Sequence, residues 1–145
     1  MPLTSCSQSP DDALGQSAAG LDQRHLVIHS GGKEHRFVVE VARSPQEQAY
    51  GMMNRQSVAP DRGMIFPYSP PDEVSFWMRD TLIPLDIIFI APGGTIHRIE
   101  SNAVPMALDP VLSGAPVEAV LELGGGRSEE LGLKPGDRVE WTNGA

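Results

Sequence analysis

From His25 onward, apolar and polar residues alternate in short runs separated by Gly and Pro, the pattern of β-strands joined by tight turns. RHLVIHS and HRFVVEVA flank Ser30-Gly31-Gly32-Lys33, which predicts a β-hairpin whose glycines supply positive φ. In its second strand Phe37, Val39 and Val41 share one face, and Arg36, Val38 and Glu40 the other. Ser44-Pro45-Gln46-Glu47 combines a capping Ser, a Pro at the first helical position and a Glu three residues past the cap. This predicts a helix to about Met53 that packs Ala49, Met52 and Met53 on the sheet. A turn at 60–63 leads to a short strand, Met64 to Phe66. Residues 67–72 read as a loop, because three prolines remove ladder donors. Further strands are expected at Val74 to Met78, Leu85 to Ala91, Thr95 to Ser101, Val117 to Leu123 and Asp137 to Thr142. Residues 102–116 read as a surface connection, and Arg127 to Leu133 as a second short helix.

Eight or nine short strands and two short helices describe a mainly β, single-domain sandwich or partly closed barrel over residues 24–145. Residues 1–23 are rich in Ser, Gln, Asp, Gly and Ala without a period. They bury too little apolar surface to offset ordering entropy, so a disordered N-terminal tether is expected there.

Composition narrows the partners. The 145 residues carry a net charge of −8, which opposes binding to nucleic acid or to anionic membrane surfaces. No apolar run reaches the roughly 18 residues of a membrane span. The single cysteine, Cys6, excludes an internal disulfide. It follows Leu3-Thr4-Ser5, a pattern that resembles the cleavage box of bacterial lipoproteins, in which the thiol is lipidated. On that reading the domain is exported, periplasmic or membrane-anchored, and touches the membrane only through Cys6. The alternative is an incidental exposed thiol in a polar tail.

A longer set of residues points to one family. Glu40-Val41-Ala42, Gly51-Met52-Met53, Gly63-Met64-Ile65-Phe66, Phe76-Trp77-Met78, Thr81, Pro84-Leu85-Asp86, Val120-Leu121-Glu122-Leu123 and Gly136-Asp137 occur in that order. Over residues 36–142 this resembles domain of unknown function 192, a family of small, often exported bacterial and archaeal proteins. Two motifs depart from it. The family usually has Gly-Leu-Met at Gly51-Met52-Met53 and Lys-Asn-Thr at Arg79-Asp80-Thr81. The resemblance implies a jelly-roll-like β-fold and an exported location, and no reaction.

Candidate chemistry concentrates in Phe76 to Asp86, where a loop carrying Arg79, Asp80 and Thr81 joins two strands. Asp86 alternates with Ile88 and Ile90, which puts a carboxylate on an apolar face. Unpaired, it would be costly there, so it needs Arg79, Arg55, Thr81, the Trp77 indole or backbone N–H groups as partners. It is either a structural acid that pins the loop or a ligand-binding carboxylate at a pocket mouth. Trp77 lies on the opposite strand face from Phe76 and Met78. It is either a stacking platform for a sugar or another ring, or a cover over a small cluster. Glu122 is a second acid on an apolar strand, and its pairing with Asp86 would make a two-carboxylate site of the glycoside-hydrolase kind.

Other signals are bland. Gly124-Gly125-Gly126 reads as a strand-to-helix turn, not a phosphate nest, because Glu129 and Glu130 occupy the first helical turn. His25 and His29 lie about 13 Å apart along a strand, too far to share a metal ion. No nucleophile elbow and no cofactor motif is present. The expectation is a monomeric binding module of the cell envelope, with no cofactor and no metal. Its polar pocket lies near Asp86 and takes a small ligand or a partner protein. Trp77, Arg79, Asp80, Thr81, Asp86, Glu122 and Arg55 are its candidate residues. The alternative is a hydrolase of envelope carbohydrate or peptide that uses paired carboxylates.

Overall fold

The computed structural model describes residues 10–144. The predicted hairpin forms from β1 (Gln23–Ser30) and β2 (Lys33–Val41), and Gly31 and Gly32 both adopt positive φ in its turn. Then follow α1 (Pro45–Tyr50), β3 (Arg62–Asp72), β4 (Ser75–Phe76), β5 (Leu85–Ala91) and β6 (Thr95–Ala103). β7 (Val111–Leu112), β8 (Val117–Gly124), α2 (Arg127–Leu131) and β9 (Arg138–Trp141) complete the chain. Seven strands close into a barrel in the order β1-β2-β3-β8-β5-β6-β9, and β9 pairs back onto β1. The expected partly closed barrel is therefore fully closed. All its strand pairs are antiparallel except β2 with β3, which run parallel because α1 and the turns after it carry the chain back across the end.

Two apolar layers follow from strand alternation. Leu26, Ile28, Phe37, Val39, Val41, Ile65, Ile88, Ile90, Leu121 and Leu123 fill the barrel. The alternate residues Met64, Phe66, Leu85, Ile87, Phe89 and Val120 point outward and are buried under Met52, Met78, Val117 and Ala103. β5 is therefore covered on both faces, which is why LDIIFIA reads as an apolar run interrupted only at Asp86.

The helix start is as expected. The Ser44 hydroxyl accepts from the Glu47 amide at 3.1 Å, and the Glu47 carboxylate accepts from the Ser44 amide at 2.9 Å and the Arg43 amide at 2.9 Å. Ser44→Ala is expected to cost about 1 kcal/mol in a urea titration. The helix ends at Tyr50, earlier than Met53, because Gly51 leaves the helical region at φ 51°.

Several segments differ from expectation, and residues 102–116, expected as a surface connection, contain β7, which pairs with β4 as a separate two-stranded sheet. Residues 67–72 continue β3 instead of forming a loop, with a break in the pairing to β8 between Pro67 and Asp72 that accommodates the prolines. The tether expected to reach residue 23 meets the barrel earlier. Leu21 is buried in the outer layer, Ser17 Oγ donates to Glu40 at 2.7 Å, and the Asp11 carboxylate accepts from the His25 amide at 2.6 Å. Cys6 lies outside the described residues.

Candidate functional site

Asp86 and Glu122 sit on neighbouring strands but project from opposite faces. In the register of β5 with β8, Asp86 opposes Leu123 and Ile87 opposes Glu122. Asp86 thus shares the inner face with Ile88 and Ile90, as its alternation requires, and Glu122 shares the outer face with Ile87 and Met64.

Asp86 is 0% exposed and its oxygens are fully engaged. Oδ1 accepts from the Asn102 amide at 2.9 Å and the Gly126 amide at 3.0 Å. Oδ2 accepts from the Ser128 amide at 2.7 Å and the Ser128 hydroxyl at 2.5 Å. Of the partners foreseen, backbone N–H groups serve, and Arg79, Arg55, Thr81 and Trp77 do not. The strand-to-helix turn at 124–126 does hold an anion, but an internal one. Gly125 has to be glycine, since a Cβ there would lie 2.8 Å from both Asn102 Oδ1 and Pro84 Cβ. Asp86 is therefore the structural acid, and it does not line the pocket expected near it. The two-carboxylate site with Glu122 is ruled out by the faces on which the two acids lie.

The cleft lies instead over the outer face, around Glu122. It encloses about 240 Å³ between the end of α1, β3, β8 and the segment 75–81. Phe66 and Phe76 form its floor, edge to face with centroids 4.9 Å apart. Met52, Met53 and Tyr68 extend the apolar wall, and Trp77, Arg79 and Thr81 line the mouth. Trp77 is 46% exposed, with the Arg79 guanidinium 5.3 Å from its ring centroid. It is an open aromatic surface and not the cover over a small cluster. Asp80 stands at the outer edge of the same turn, 3.6 Å from Arg79 and at φ 52°, a conformation that Asp and Asn tolerate.

Glu122 is the cleft's only carboxylate and is 4% exposed. It makes no hydrogen bond with any described residue. Burial among Met64, Ile87 and the aromatic floor pushes its carboxyl up to about 8, and the nearby positive charge of Arg55 offsets only part of that. At neutral pH it is therefore an uncharged acid. Arg55 does not pair with it, because Arg55 grips Glu40 with both guanidinium nitrogens, one of them at 3.0 Å. Glu40 occupies the same outward row as Glu122, two strands away through Met64. Burial raises the Glu40 carboxyl, but hydrogen bonds from Arg55 and Ser17 outweigh this and hold it below the ordinary value. Burial also pushes the Tyr68 phenol up, with the Glu122 and Asp72 charges adding to the effect. No hydrogen bond from a described residue engages that phenol.

Of the predicted residues, the fold thus gathers Trp77, Arg79, Thr81 and Glu122 around one cleft, with Asp80 at its edge and Arg55 outside its lining, held by Glu40. Asp86 belongs elsewhere. Tyr68, Phe66, Phe76, Met52 and Gln48 join the site although none of them was a candidate site residue. For Phe66 and Tyr68 outward alternation along β3 was the cue available, and the Pro-rich reading of 67–72 concealed it at Tyr68. Among the described residues no group of three or more His, Cys, Asp or Glu could hold a metal ion.

A family model described as Uncharacterized ACR (DUF192) matches residues 26–141. Two solved structures are similar over most of the chain. A protein of unknown function from Novosphingobium aromaticivorans is 43% identical, with TM-score 0.84, covering 87% of this chain and 90% of its own. A putative transcription regulator from Sinorhizobium meliloti is 39% identical, with TM-score 0.81, covering 83% of this chain and 95% of its own. No curated protein matches the chain.

Proposed function

The chain belongs to the DUF192 family, and from that premise we propose that it is a small-ligand-binding module whose site is the cleft around Glu122. One observation carries the reading. A carboxyl group on a residue only 4% exposed, with no hydrogen bond to any described residue, opens into a cleft with aromatic walls. A hydrogen bond from a ligand to such a group, made where little water competes, is worth more than one at an open surface. Binding is favoured over hydrolysis because the cleft supplies one acid and not two. The description of the Sinorhizobium meliloti protein as a transcription regulator does not carry over, since a net charge of −8 repels nucleic acid. The Leu3 to Cys6 run supports an exported domain held at a membrane by a lipid on Cys6.

The test is a thermal-shift screen of a small-molecule library against the wild type, Trp77→Ala and Glu122→Ala. A ligand at about 100 times its Kd adds about 2.7 kcal/mol and raises Tm by roughly 5–10 °C in a domain of this size. The rise should vanish in both variants. Hits whose shifts survive both substitutions would place binding elsewhere and refute the reading.

A further inference from the structure

The cleft offers more neutral hydrogen-bonding groups than its own structure uses. The Glu122 carboxyl and the Tyr68 phenol have no partners among the described residues. Gln48 Nε2 donates to the carbonyls of Ala42 at 3.0 Å and Pro67 at 3.1 Å, which fixes the amide and leaves Oε1 as an unused acceptor. The Ser75 hydroxyl stands at the rim.

The charges nearby largely cancel. The titratable or charged groups around Glu122 are Arg55 and Tyr50 after and within α1, Tyr68 and Asp72 on β3, and Arg79 on the 75–81 segment. Arg55 is neutralised by Glu40, and Arg79 lies against Trp77 with Asp80 beside it. With Glu122 protonated, the two arginines are balanced by Glu40 and Asp80, and Asp72, which does not line the cleft, is the one charge of this set left over.

These features discriminate among ligand classes. An ammonium group would have to strip the proton from Glu122 and hold the ion pair in an apolar site. A carboxylate would find both arginines already paired. A neutral ring with one apolar C–H face and an edge of hydroxyl groups fits both surfaces. Its face packs on Trp77 and the phenylalanine floor, and its hydroxyls meet Glu122, Tyr68 and Gln48. A volume of about 240 Å³ accommodates a single ring.

We propose that the cleft binds one monosaccharide ring, stacked on Trp77, with a ring hydroxyl hydrogen-bonded to the Glu122 carboxyl. This rests on the reading of the cleft as a binding site and specifies its ligand class. Binding weakens as pH rises past about 8, because ionised Glu122 can no longer donate and becomes a buried charge.

The probes are glucose, galactose and N-acetylglucosamine, with tetramethylammonium and benzoate as charged controls. Titration calorimetry and thermal shift are run at pH 6.5 and 9. At least one sugar should bind at pH 6.5 and lose about tenfold in affinity at pH 9. Trp77→Ala and Glu122→Ala should abolish that binding. Glu122→Gln, which keeps a neutral hydrogen-bonding group, should retain binding and lose the pH dependence. Trp77→Ala changes an exposed residue and keeps the test sound if a Glu122 variant folds poorly. No sugar binding at 50 mM would overturn the proposal. Binding of tetramethylammonium alone, lost in Glu122→Gln, would replace it with a cation site and leave the binding reading intact. Binding of benzoate alone would do the same in favour of an anion. A library with no hit of any class would sink the binding reading as well.

Discussion

Asp86→Ala is expected to cost about 4 kcal/mol of folding stability, the largest effect of any single substitution considered. The carboxylate is buried without a cation and is held by three backbone amides and one hydroxyl. Truncation strands those donors in a site that water reaches poorly, and each stranded donor costs about 1–3 kcal/mol. The four bonds join three separate pieces of chain. Asp86 begins β5, Asn102 lies near the end of β6 at φ 51°, and Gly126 and Ser128 lead from β8 into α2. Asp86→Asn should fall between, at about 2 kcal/mol, because one side-chain oxygen still accepts while the amide nitrogen faces donors. Urea titrations read both as shifts in midpoint at constant slope. Sugar affinity of the Asp86→Asn variant below its melting range should equal that of the wild type, because Asp86 lies on the face opposite the cleft. A cost under 1 kcal/mol for Asp86→Ala would mean that the donors find other partners and that this acid does not hold the barrel end together.

The same residue shows what was legible from sequence. Its burial followed from alternation with Ile88 and Ile90, and its need for partners followed from the cost of a buried charge. Which partners it finds depends on β8 returning beside β5 and on the 124–126 turn coming with it, a contact about 40 residues away in sequence. Local pattern favoured the nearest cations instead. The strands, the capped helix and the hairpins were readable because turn and cap chemistry is local. The second covered face was not, because alternation gives two faces without saying what covers the outer one. Tyr68 and Glu122 become site residues only once α1 and the 75–81 segment lie over β3 and β8. Trp77 was readable as a candidate from its phase against Phe76 and Met78, and the fold leaves it 46% exposed at the cleft mouth.

Glu122→Gln should gain stability relative to the wild type as pH rises from 5 to 8.5. In the unfolded chain this carboxyl titrates near 4.5, and in the folded protein burial raises it to about 8. The folded state therefore holds a proton that the unfolded state releases across that window. The associated stability is complete below pH 4.5 and is lost as pH climbs through 8, at about 1.4 kcal/mol per unit of difference, or several kcal/mol in all. Glu40 and Asp137 act in the opposite direction, since both are held below their ordinary values and lose their contribution as pH falls. Subtracting the wild-type profile from that of the variant cancels those groups and isolates Glu122. The glutamine amide stays neutral throughout and is left without a partner, as the protonated carboxyl is. The variant should accordingly be about as stable as the wild type at pH 5 and more stable by roughly 3 kcal/mol at pH 8.5. Urea titrations of both proteins at pH 5, 6.5 and 8.5 give the three differences directly. Equal differences at all three values would show that Glu122 ionises in the folded protein as it does in the unfolded chain, and its role as an uncharged donor in the cleft would fall with that result.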